Sequence, residues 1–392
     1  MKSNIAIVGA GPAGSSLAIR LAGKGFTVTL IEREKFPRHK LCGEFISPEC
    51  LSHFADLGVL DKMIAAGGDR VSETSFYAPG GKSVTIPSSF FSGGNALSLS
   101  RAEMDLRLME RAKETGVEVL ENAAVTELLF DGEKIKGVRA RLGLAESVSI
   151  NADVVVDATG RTAVLSRLLA KSIARNAEVS VKPGFVGFKA HLRNVNLQTG
   201  RCEIYAFRGG YGGITHIEDD KVNLCFLIKA DIVRNFKGNA DEIVRRIVMR
   251  NVRAAKALAD SELAAEWLAV AVSGFGRKQL SPAPGLFTVG DSAAFIDPFT
   301  GSGMLLALES SELLAEAIFA NAGSPALIAK KYERDYRMRF GTRLRMASLL
   351  RQAAFVPAIA TAAIRFAGAS VLIAELLARF TRQRAISVVS KR

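Results

Sequence analysis

The spacing of apolar residues divides the chain into short buried strands and amphipathic helices. Residues 4–9 are apolar almost throughout, as in a parallel strand that is buried on both faces. The pattern predicts a helix over residues 12–24 and a second strand over residues 27–31. Helices are also predicted over 47–57 and over 101–116, where apolar residues recur at every fourth position. This order predicts an α/β fold that opens with a β-α-β unit.

The pattern changes between Pro183 and about residue 275. Strands there alternate apolar and polar residues, and two helical stretches lie between 241 and 265. This predicts an antiparallel sheet that is inserted into the first fold. A buried strand that begins at Leu286 then returns to the first fold, and it is followed by two predicted helices, over 302–320 and 323–348.

These patterns predict two domains and a tail. A hairpin within residues 70–100, turning at Gly80-Gly81, is expected to lie on the substrate side of the first domain. The predicted segments are 1–182 and 281–345 for the first domain, 183–280 for the antiparallel sheet domain, and 346–392 for an apolar, basic helical tail.

Composition narrows the class of protein. A chain of 392 residues with 48% hydrophobic residues is long enough for two packed cores. The four cysteines include no CxxC pair, which predicts reduced thiols and neither a disulfide frame nor a metal site. The N-terminus runs directly into a strand, without the pattern of a secretory signal. We therefore expect a cytoplasmic protein.

The positive charge is concentrated near the C-terminus. Between residues 334 and 392 there are twelve Lys or Arg and only two acidic residues. Nucleic acid is one possible partner of such a tail, but its long apolar stretches favour an anionic membrane surface. A helical pair that covers the core with a solvated basic face is the simpler alternative. The charges at 365 and 375 interrupt the apolar stretches, so a spanning helix is not expected. We predict no nucleic-acid partner, and peripheral contact with the inner face of the membrane through 346–392.

The first motif is a glycine-rich turn between the first strand and the first helix. In IAIVGAGPAG, Gly9 allows a tight turn, Gly11 leaves room for a pyrophosphate and Gly14 lets the helix approach the strand. The helix N-terminus offers free N–H groups to phosphates. Glu32 ends the next strand, where a carboxylate accepts hydrogen bonds from ribose hydroxyls. The predicted contacts in this unit are Gly9, Gly11, Pro12, Ala13, Gly14, Glu32 and Arg33.

Two later motifs complete the pattern. The segments VVVDATGRTAVLSR (154–167) and LFTVGDSAAFIDPFTGSGM (286–304) resemble, with the glycine turn, the three fingerprints of the flavoprotein (group A, aromatic-hydroxylase-like) monooxygenase and geranylgeranyl reductase superfamily. The resemblance covers about the first 320 residues. It implies FAD as cofactor and a Rossmann-type FAD-binding domain, similar to those of glutathione reductase and p-hydroxybenzoate hydroxylase. It also implies an antiparallel β substrate domain.

The long cofactor needs contacts that are remote from the glycine turn. Asp291 ends a buried strand, where its carboxylate can accept hydrogen bonds from ribityl hydroxyls. Backbone N–H groups at Gly301-Ser302-Gly303 would face the flavin edge on which negative charge develops. Arg101 is expected near FAD by resemblance, and a solvated helix-terminal charge is the alternative. The further predicted contacts are Asp157, Gly160, Gly290, Pro298 and Met304.

The loop 37–49 resembles the segment over the flavin in geranylgeranyl reductases and halogenase-like flavoproteins. We assign Cys42 and Gly43 to the flavin or substrate face, where Gly43 would allow close backbone approach. An ordinary basic turn with a packing cysteine is the alternative. No resolving partner for Cys42 lies nearby in sequence, so a redox role is not expected. The four histidines show no metal-ligand spacing and are interpreted as structural or surface residues, and a pocket acid or base is the alternative for His216.

The strand segment FRGGYGGITHI (207–217) resembles the glycine-tyrosine motif of the reductases, in which a tryptophan commonly follows the tyrosine by two. Gly213 stands at that position here, and it would widen the cavity or mark a different branch. Tyr211 is assigned to the substrate face with Tyr205 and Phe207, although alternating aromatics are as often core residues. The tryptophan-halogenase WxWxIP signature is missing.

These motifs predict an FAD-dependent oxidoreductase. We favour an NAD(P)H-dependent monooxygenase that hydroxylates an apolar or phenolic, lipid-like small molecule through a flavin hydroperoxide. NAD(P)H would dock transiently, since no second dinucleotide motif occurs in a strand–helix setting. One alternative is a flavin-dependent reductase of isoprenoid double bonds. The other is a non-catalytic FAD-binding electron carrier.

Overall fold

The computed structural model describes residues 3–90, 94–143, 146–173, 183–295 and 301–354. A parallel sheet lies at the centre of the nucleotide fold, and its middle strand is buried at four of five positions. In spatial order, its strands are β20 (Leu286–Thr288), β12 (Val154–Asp157), β1 (Asn4–Val8), β2 (Thr27–Ile31) and β8 (Glu118–Leu120). The predicted α/β fold with an opening β-α-β unit is confirmed.

A larger mixed sheet contains the strands from the predicted antiparallel domain. Its pairing is antiparallel within residues 185–272, but the strand Arg201–Phe207 pairs in parallel with Glu73–Tyr77, the first strand of the early hairpin. In spatial order, its strands are β17 (Glu262–Leu263), β13 (Phe185–Arg193), β16 (Val222–Lys229), β15 (Gly210–His216), β14 (Arg201–Phe207), β5 (Glu73–Tyr77) and β6 (Ser83–Pro87), and β18 (Leu268–Val272) also pairs with β13.

The hairpin of β5 and β6 turns where the sequence predicts. Gly81 takes a left-handed φ of +86°, and its N–H donates to the carbonyl of Ala78 at 2.9 Å. Smaller sheets brace the rest of the fold. They are formed by β9 (Ala123–Asp131), β10 (Lys134–Leu142) and β11 (Glu146–Asn151), by β3 (Phe45–Ile46), β4 (Asp69–Val71) and β7 (Ala96–Ser98), and by β19 (Gly276–Arg277) and β21 (Ala294–Phe295).

The helices cover both sheets. They are α1 (Pro12–Gly23), α2 (Pro48–Asp56), α3 (Leu60–Ala65), α4 (Arg101–Glu114), α5 (Val164–Ile173), α6 (Ala230–Asn235), α7 (Ala240–Arg246), α8 (Val252–Ala257), α9 (Gly303–Ala320) and α10 (Pro325–Ala354). The two long helices predicted after residue 300 are confirmed as α9 and α10. None of the helices in the described ranges combines the length and apolar character needed to cross a bilayer.

Helices α1 and α9 pack against each other although they lie far apart in sequence. Ser311 donates its hydroxyl to the carbonyl of Ala13 at 2.7 Å, across 298 positions. A Cβ added to Gly290 would lie 2.9 Å from the Cβ of Ala13, so this glycine is needed for the close approach. The packing brings the first and third fingerprints to one side of the parallel sheet.

Candidate FAD and substrate site

The three fingerprint glycines have different surroundings. Gly9 has a φ of +104°, and a Cβ added to it would lie 2.4 Å from the carbonyl oxygen of Ala158. A Cβ added to Gly14 would lie 1.9 Å from the carbonyl oxygen of Gly9. A Cβ on Gly11 would meet only Nη2 of Arg101, at 3.6 Å. Gly9 and Gly14 are therefore required by close packing of the backbone. Gly11 instead faces open space beside the Arg101 guanidinium, at the start of α1. Pro12 and Ala13 begin that helix, so this cradle fits a pyrophosphate.

Glu32 lies in a buried network at the end of β2. It accepts hydrogen bonds from the backbone N–H of Ala10 at 3.0 Å and from Nη2 of Arg38 at 3.1 Å. Arg38 also donates to Asp105 at 2.7 Å, but its buried Nε has no partner in the described part of the chain. An orphaned donor beside Glu32 fits a site that is completed by the polar adenosine half of FAD. The sequence offers Arg38 or Lys40 as a partner for a phosphate, whereas the structure pairs Arg38 with the carboxylates of Glu32 and Asp105.

The two predicted arginines are placed differently. Arg33 is 61% exposed and pairs with its neighbour Glu34, and its contact with FAD stays a prediction. Arg101 is largely buried and makes two parallel hydrogen bonds to Asp105, at 2.8 and 2.7 Å. Burial opposes the charge of Arg101, but the Asp105 carboxylate and the nearby sulfur of Cys42 outweigh it and raise the pKa of Arg101. Arg101 thus stays charged beside Gly11.

The carboxylate of Asp157 is fully buried and used by the protein itself. It accepts six hydrogen bonds, from the backbone N–H groups of 159, 165 and 166 and from the hydroxyls of Thr159, Ser166 and Ser292. Its visible role is to hold the β12 loop, the start of α5 and the Gly290 turn together. Direct contact of Asp157 with FAD stays a prediction. Gly160 lies in the same loop with a φ of +75° and open space on its Cβ side.

Asp291 has the opposite surroundings. No hydrogen bond reaches its carboxylate from the described residues, and it is partly buried near Arg161 and Lys278. Burial raises the pKa of Asp291 to about 6, although the two cations lower it. Lys278 donates to the backbone carbonyls of Arg161 and Asp291, at 3.1 and 3.2 Å, which fixes it beside this carboxylate. An available acceptor at the end of a strand fits the hydroxyls of a ribityl chain.

The predicted flavin-edge turn leads into α9. Gly301 has a left-handed φ of +59°, Ser302 occupies the N-cap position, and Gly303 begins the helix with open space on its Cβ side. Met304 packs against the core. Pro298 lies outside the described residues.

The loop that carries Cys42 and Gly43 is fixed by the next residue, Glu44. This carboxylate is completely buried and contacts Nζ of Lys189 and, at 2.8 Å, Nε2 of His191. It also accepts a hydrogen bond from the backbone N–H of Arg101 at 2.7 Å. Burial alone would raise the pKa of Glu44, but the His191 hydrogen bond and the Lys189 charge outweigh it and lower the pKa below its ordinary value. This pairing agrees with the interpretation of His191 as a structural residue, although the sequence does not indicate its partner.

The loop that carries Cys42 and Gly43 packs on the face of β13 and β16 to which Lys189 and His191 belong. Asn223 donates to the carbonyl of Cys42 at 3.2 Å, and Leu41 lies over Gly187. Cys225 is the register partner of Lys189, and the Cys42 thiol is close enough to affect its pKa. The fold therefore brings together two thiols that are 183 positions apart in sequence. Burial, with a smaller effect of Cys42, raises the pKa of Cys225 to about 12, and such a thiol is a poor nucleophile.

Strand parity separates the three aromatic residues assigned to the substrate face. Tyr211 packs with Leu227, Phe295 and the stacked ring of Phe275, whose centroid lies 4.9 Å from that of Phe295. Tyr205 and Phe207 belong to the core on the other side of the sheet, under α6–α8. The expectation that all three share one face is therefore wrong for these two residues, because side chains of β14 and β15 alternate between faces.

Gly213 does not widen a cavity. A Cβ there would lie 2.6 Å from Cδ1 of Ile204 and 2.7 Å from the carbonyl oxygen of Glu203. The space is already filled, so a tryptophan at this position would require the neighbouring strand to move. In the described ranges, no three His, Cys, Asp or Glu side chains converge in a way that could hold a metal ion.

Comparison with known proteins agrees with this geometry. A family model described as FAD binding domain matches residues 2–343. A digeranylgeranylglycerophospholipid reductase from Methanosarcina acetivorans is 26% identical over 346 residues, which cover 86% of this chain and 80% of the relative. A tryptophan 2-halogenase from Chondromyces crocatus is 27% identical over 353 residues, which cover 86% of this chain and 66% of that protein.

The fold is also found among solved structures. A geranylgeranyl bacteriochlorophyll reductase-like protein from Thermoplasma acidophilum superposes with a TM-score of 0.79 at 20% identity, and the match covers 96% of both chains. This likeness supports the fold. The open side of Gly11, the orphaned Nε of Arg38 and the available Asp291 carboxylate fit a cofactor that extends from one glycine turn to the other.

Proposed function

The chain belongs to the family of proteins with this FAD binding domain and is an FAD-dependent oxidoreductase, and from this premise we propose that it is a monooxygenase. Its substrate would be an apolar or phenolic, lipid-like small molecule, and NAD(P)H would be the reductant. The bound FAD would supply the redox chemistry, by taking up electrons from NAD(P)H and passing them to oxygen.

The observation that carries this proposal is the apolar cluster on the cofactor side of the mixed sheet. Tyr211, Leu227 and Val272 are buried there with Phe295, which belongs to the third fingerprint. Phe185 and Phe275 pack against them at the partly exposed margin. Aromatic side chains bind an apolar or aromatic substrate and exclude water from the reacting atoms. No protein nucleophile is required for such a reaction.

The surrounding residues have separable tasks in this proposal. Arg101 and the N-terminus of α1 would hold the pyrophosphate, Asp291 would accept from the ribityl chain, and the Cys42–Gly43 loop would close the space beside the flavin. Tyr211 is the polar group in the apolar cluster, so its hydroxyl is the candidate for orienting a phenolic substrate.

A reductase of isoprenoid double bonds is the second candidate. The similarity to the Methanosarcina reductase and the Cys-Gly pair in the loop favour it. The filled space at Gly213 disfavours it, because the tryptophan of the reductase-like motif has no room there. A non-catalytic electron carrier would bind FAD yet convert no lipid.

Isotope labelling separates these candidates. The holoprotein is given NADPH or NADH, long-chain alkylphenols and ¹⁸O₂, and the products are analysed by mass spectrometry. We expect one ¹⁸O atom per product molecule, and a product yield at least tenfold lower in Tyr211→Phe than in the matched Tyr205→Phe variant on the other face of the sheet.

A second incubation without oxygen contains a geranylgeranyl lipid and the same reductant. A gain of two mass units per double bond there, with no ¹⁸O product in the first incubation, would replace the monooxygenase by the reductase. Oxidation of NAD(P)H without conversion of any lipid would favour the electron carrier.

A further inference from the structure

We propose that Glu44 is a positioning residue that sets the Cys42–Gly43 loop and Arg101 against the FAD site by joining both to the mixed sheet. The inference concerns cofactor geometry, so it holds for a monooxygenase and for a reductase alike.

Glu44 connects three parts of the chain that are distant in sequence. Its Oε1 accepts a hydrogen bond from the backbone N–H of Arg101 at 2.7 Å, and its backbone carbonyl accepts one from the N–H of Leu99 at 3.2 Å. The same carboxylate contacts Lys189 and His191 on β13, 145 and 147 positions away. One side chain therefore fixes the loop, the start of α4 and the sheet relative to one another.

The backbone at Glu44 is also unusual for a residue with a side chain. Its φ is +56°, in the left-handed region that few side chains other than Asn and Asp adopt readily. In this conformation its N–H donates to Sγ of Cys42 at 3.4 Å, while Nζ of Lys189 donates to the carbonyl of Lys40 at 3.1 Å. The carboxylate contacts hold the loop in this conformation, and Gly43 is left with open space on its Cβ side.

A gain in stability does not by itself explain why the ion pair of Glu44 and Lys189 is buried. Glu44 is 0% exposed and Lys189 only 2%, so both charges have lost their hydration. A buried ion pair commonly contributes no more stability than apolar residues of similar volume, although removing one partner alone is strongly destabilising. The benefit that remains is geometric: the Arg101 guanidinium and the Cys42 sulfur are held together beside the open side of Gly11.

The test compares stability with retention of FAD in the holoprotein. The variants are Lys189→Met, which leaves Glu44 tied to Arg101 and His191, and the double variant Glu44→Met/Lys189→Met, which removes the pair without leaving a buried charge. The matched control is Glu203→Met/Arg253→Met, which removes a largely buried pair from the opposite face of the same sheet. Three properties are measured for each variant. They are the melting temperature, the rate at which FAD passes to an excess of an apo-flavoprotein acceptor, and the position of the visible flavin absorption band.

If Glu44 is a positioning residue, the variants should rank in one order by melting temperature and in the opposite order by FAD retention. The double variant should melt higher than Lys189→Met, yet lose FAD at least tenfold faster than the wild type and faster than Lys189→Met, with a shifted flavin band. The control should lose FAD within twofold of the wild-type rate. If FAD retention simply follows melting temperature through the series, or if the control loses FAD as fast as the double variant, Glu44 is structural and the proposal is wrong. Neither outcome depends on turnover, so the test is independent of the proposed reaction.

Discussion

At the scale of single residues, the glycine turn separates a requirement for packing from a requirement for ligand space. Gly14 has the carbonyl of Gly9 within 1.9 Å of its Cβ position, whereas Gly11 has only the end of a flexible arginine side chain, at 3.6 Å. A side chain at position 14 collides with backbone. A side chain at position 11 enters the space assigned to the pyrophosphate.

Gly11→Val should therefore fold but lose the flavin. We expect far-UV circular dichroism and the melting temperature to stay near those of the apoprotein, while bound flavin, measured by absorbance per mole of protein, falls at least tenfold. Gly14→Val is the matched comparison and should yield little folded protein. Full flavin occupancy in Gly11→Val would contradict the assignment of the cradle.

Asp291 predicts a pH dependence of FAD affinity. Burial raises the pKa of this carboxyl to about 6 in the FAD-free protein, so it is mostly protonated at pH 5 and mostly ionised at pH 7. Ribityl hydroxyls donate to the ionised form, and FAD binding should therefore release a proton near pH 6. Between pH 5 and 7 the dissociation constant should fall by about fivefold if FAD lowers this pKa by one unit, and by about tenfold if it lowers it by two units or more. Asp291→Asn should flatten the profile, and an unchanged slope in that variant would assign the titration to another group.

At the scale of elements, Asp157 joins β12 to α5 and to the Gly290 turn. Its two oxygens accept from backbone N–H groups at the start of α5, at 3.0 and 3.1 Å, as well as from the hydroxyl of Ser292. Asp157→Asn would place an amide N–H₂ against these donors, and we expect a loss of about 2–3 kcal/mol in the free energy of unfolding. Asn239→Ala, at the exposed cap of α7, should lose only about 1 kcal/mol. Denaturant unfolding of both variants checks the difference, and equal losses would argue against a joining role.

The elements that sequence predicts well are those whose signals are local. The β-α-β unit, the hairpin at Gly81 and the helices α9 and α10 follow from apolar spacing and from glycines at turns. The partners of Glu44 could not be found in this way, because Lys189 and His191 reach it only through the pairing of distant elements. Likewise, Tyr205 and Tyr211 look equivalent in sequence, and only the strand register places them on opposite faces.

At the scale of the whole molecule, the positive charge near the C-terminus is partly neutralised within the fold. Arg339 and Arg343 of α10 pair with the buried Glu309 of α9, at 3.1 and 2.6 Å. Arg337 is exposed next to Met338, which is 69% exposed. The predicted tail 346–392 begins inside α10, and residues 355–392 lie outside the described part of the chain. The tail 346–392 itself contains seven Lys or Arg and one acidic residue, which leaves it a net charge of +6 for contact with an anionic surface.

This distribution predicts membrane contact that depends on both the tail and its charge. Full-length protein should pellet with vesicles that contain anionic phospholipid, and a protein without residues 346–392 should stay in the supernatant. A full-length variant in which Arg379, Arg382 and Arg384 are changed to Gln keeps the apolar tail and tests the charge alone. It should bind up to about a hundredfold more weakly, since each basic residue near such a surface contributes about 1 kcal/mol, and wild-type binding should weaken as salt is raised. Equal pelleting of the full-length and truncated proteins would rule out membrane contact through the tail and favour a tail that covers the core. If binding changes neither with salt nor with loss of the three arginines, the apolar stretches of the tail are responsible for it.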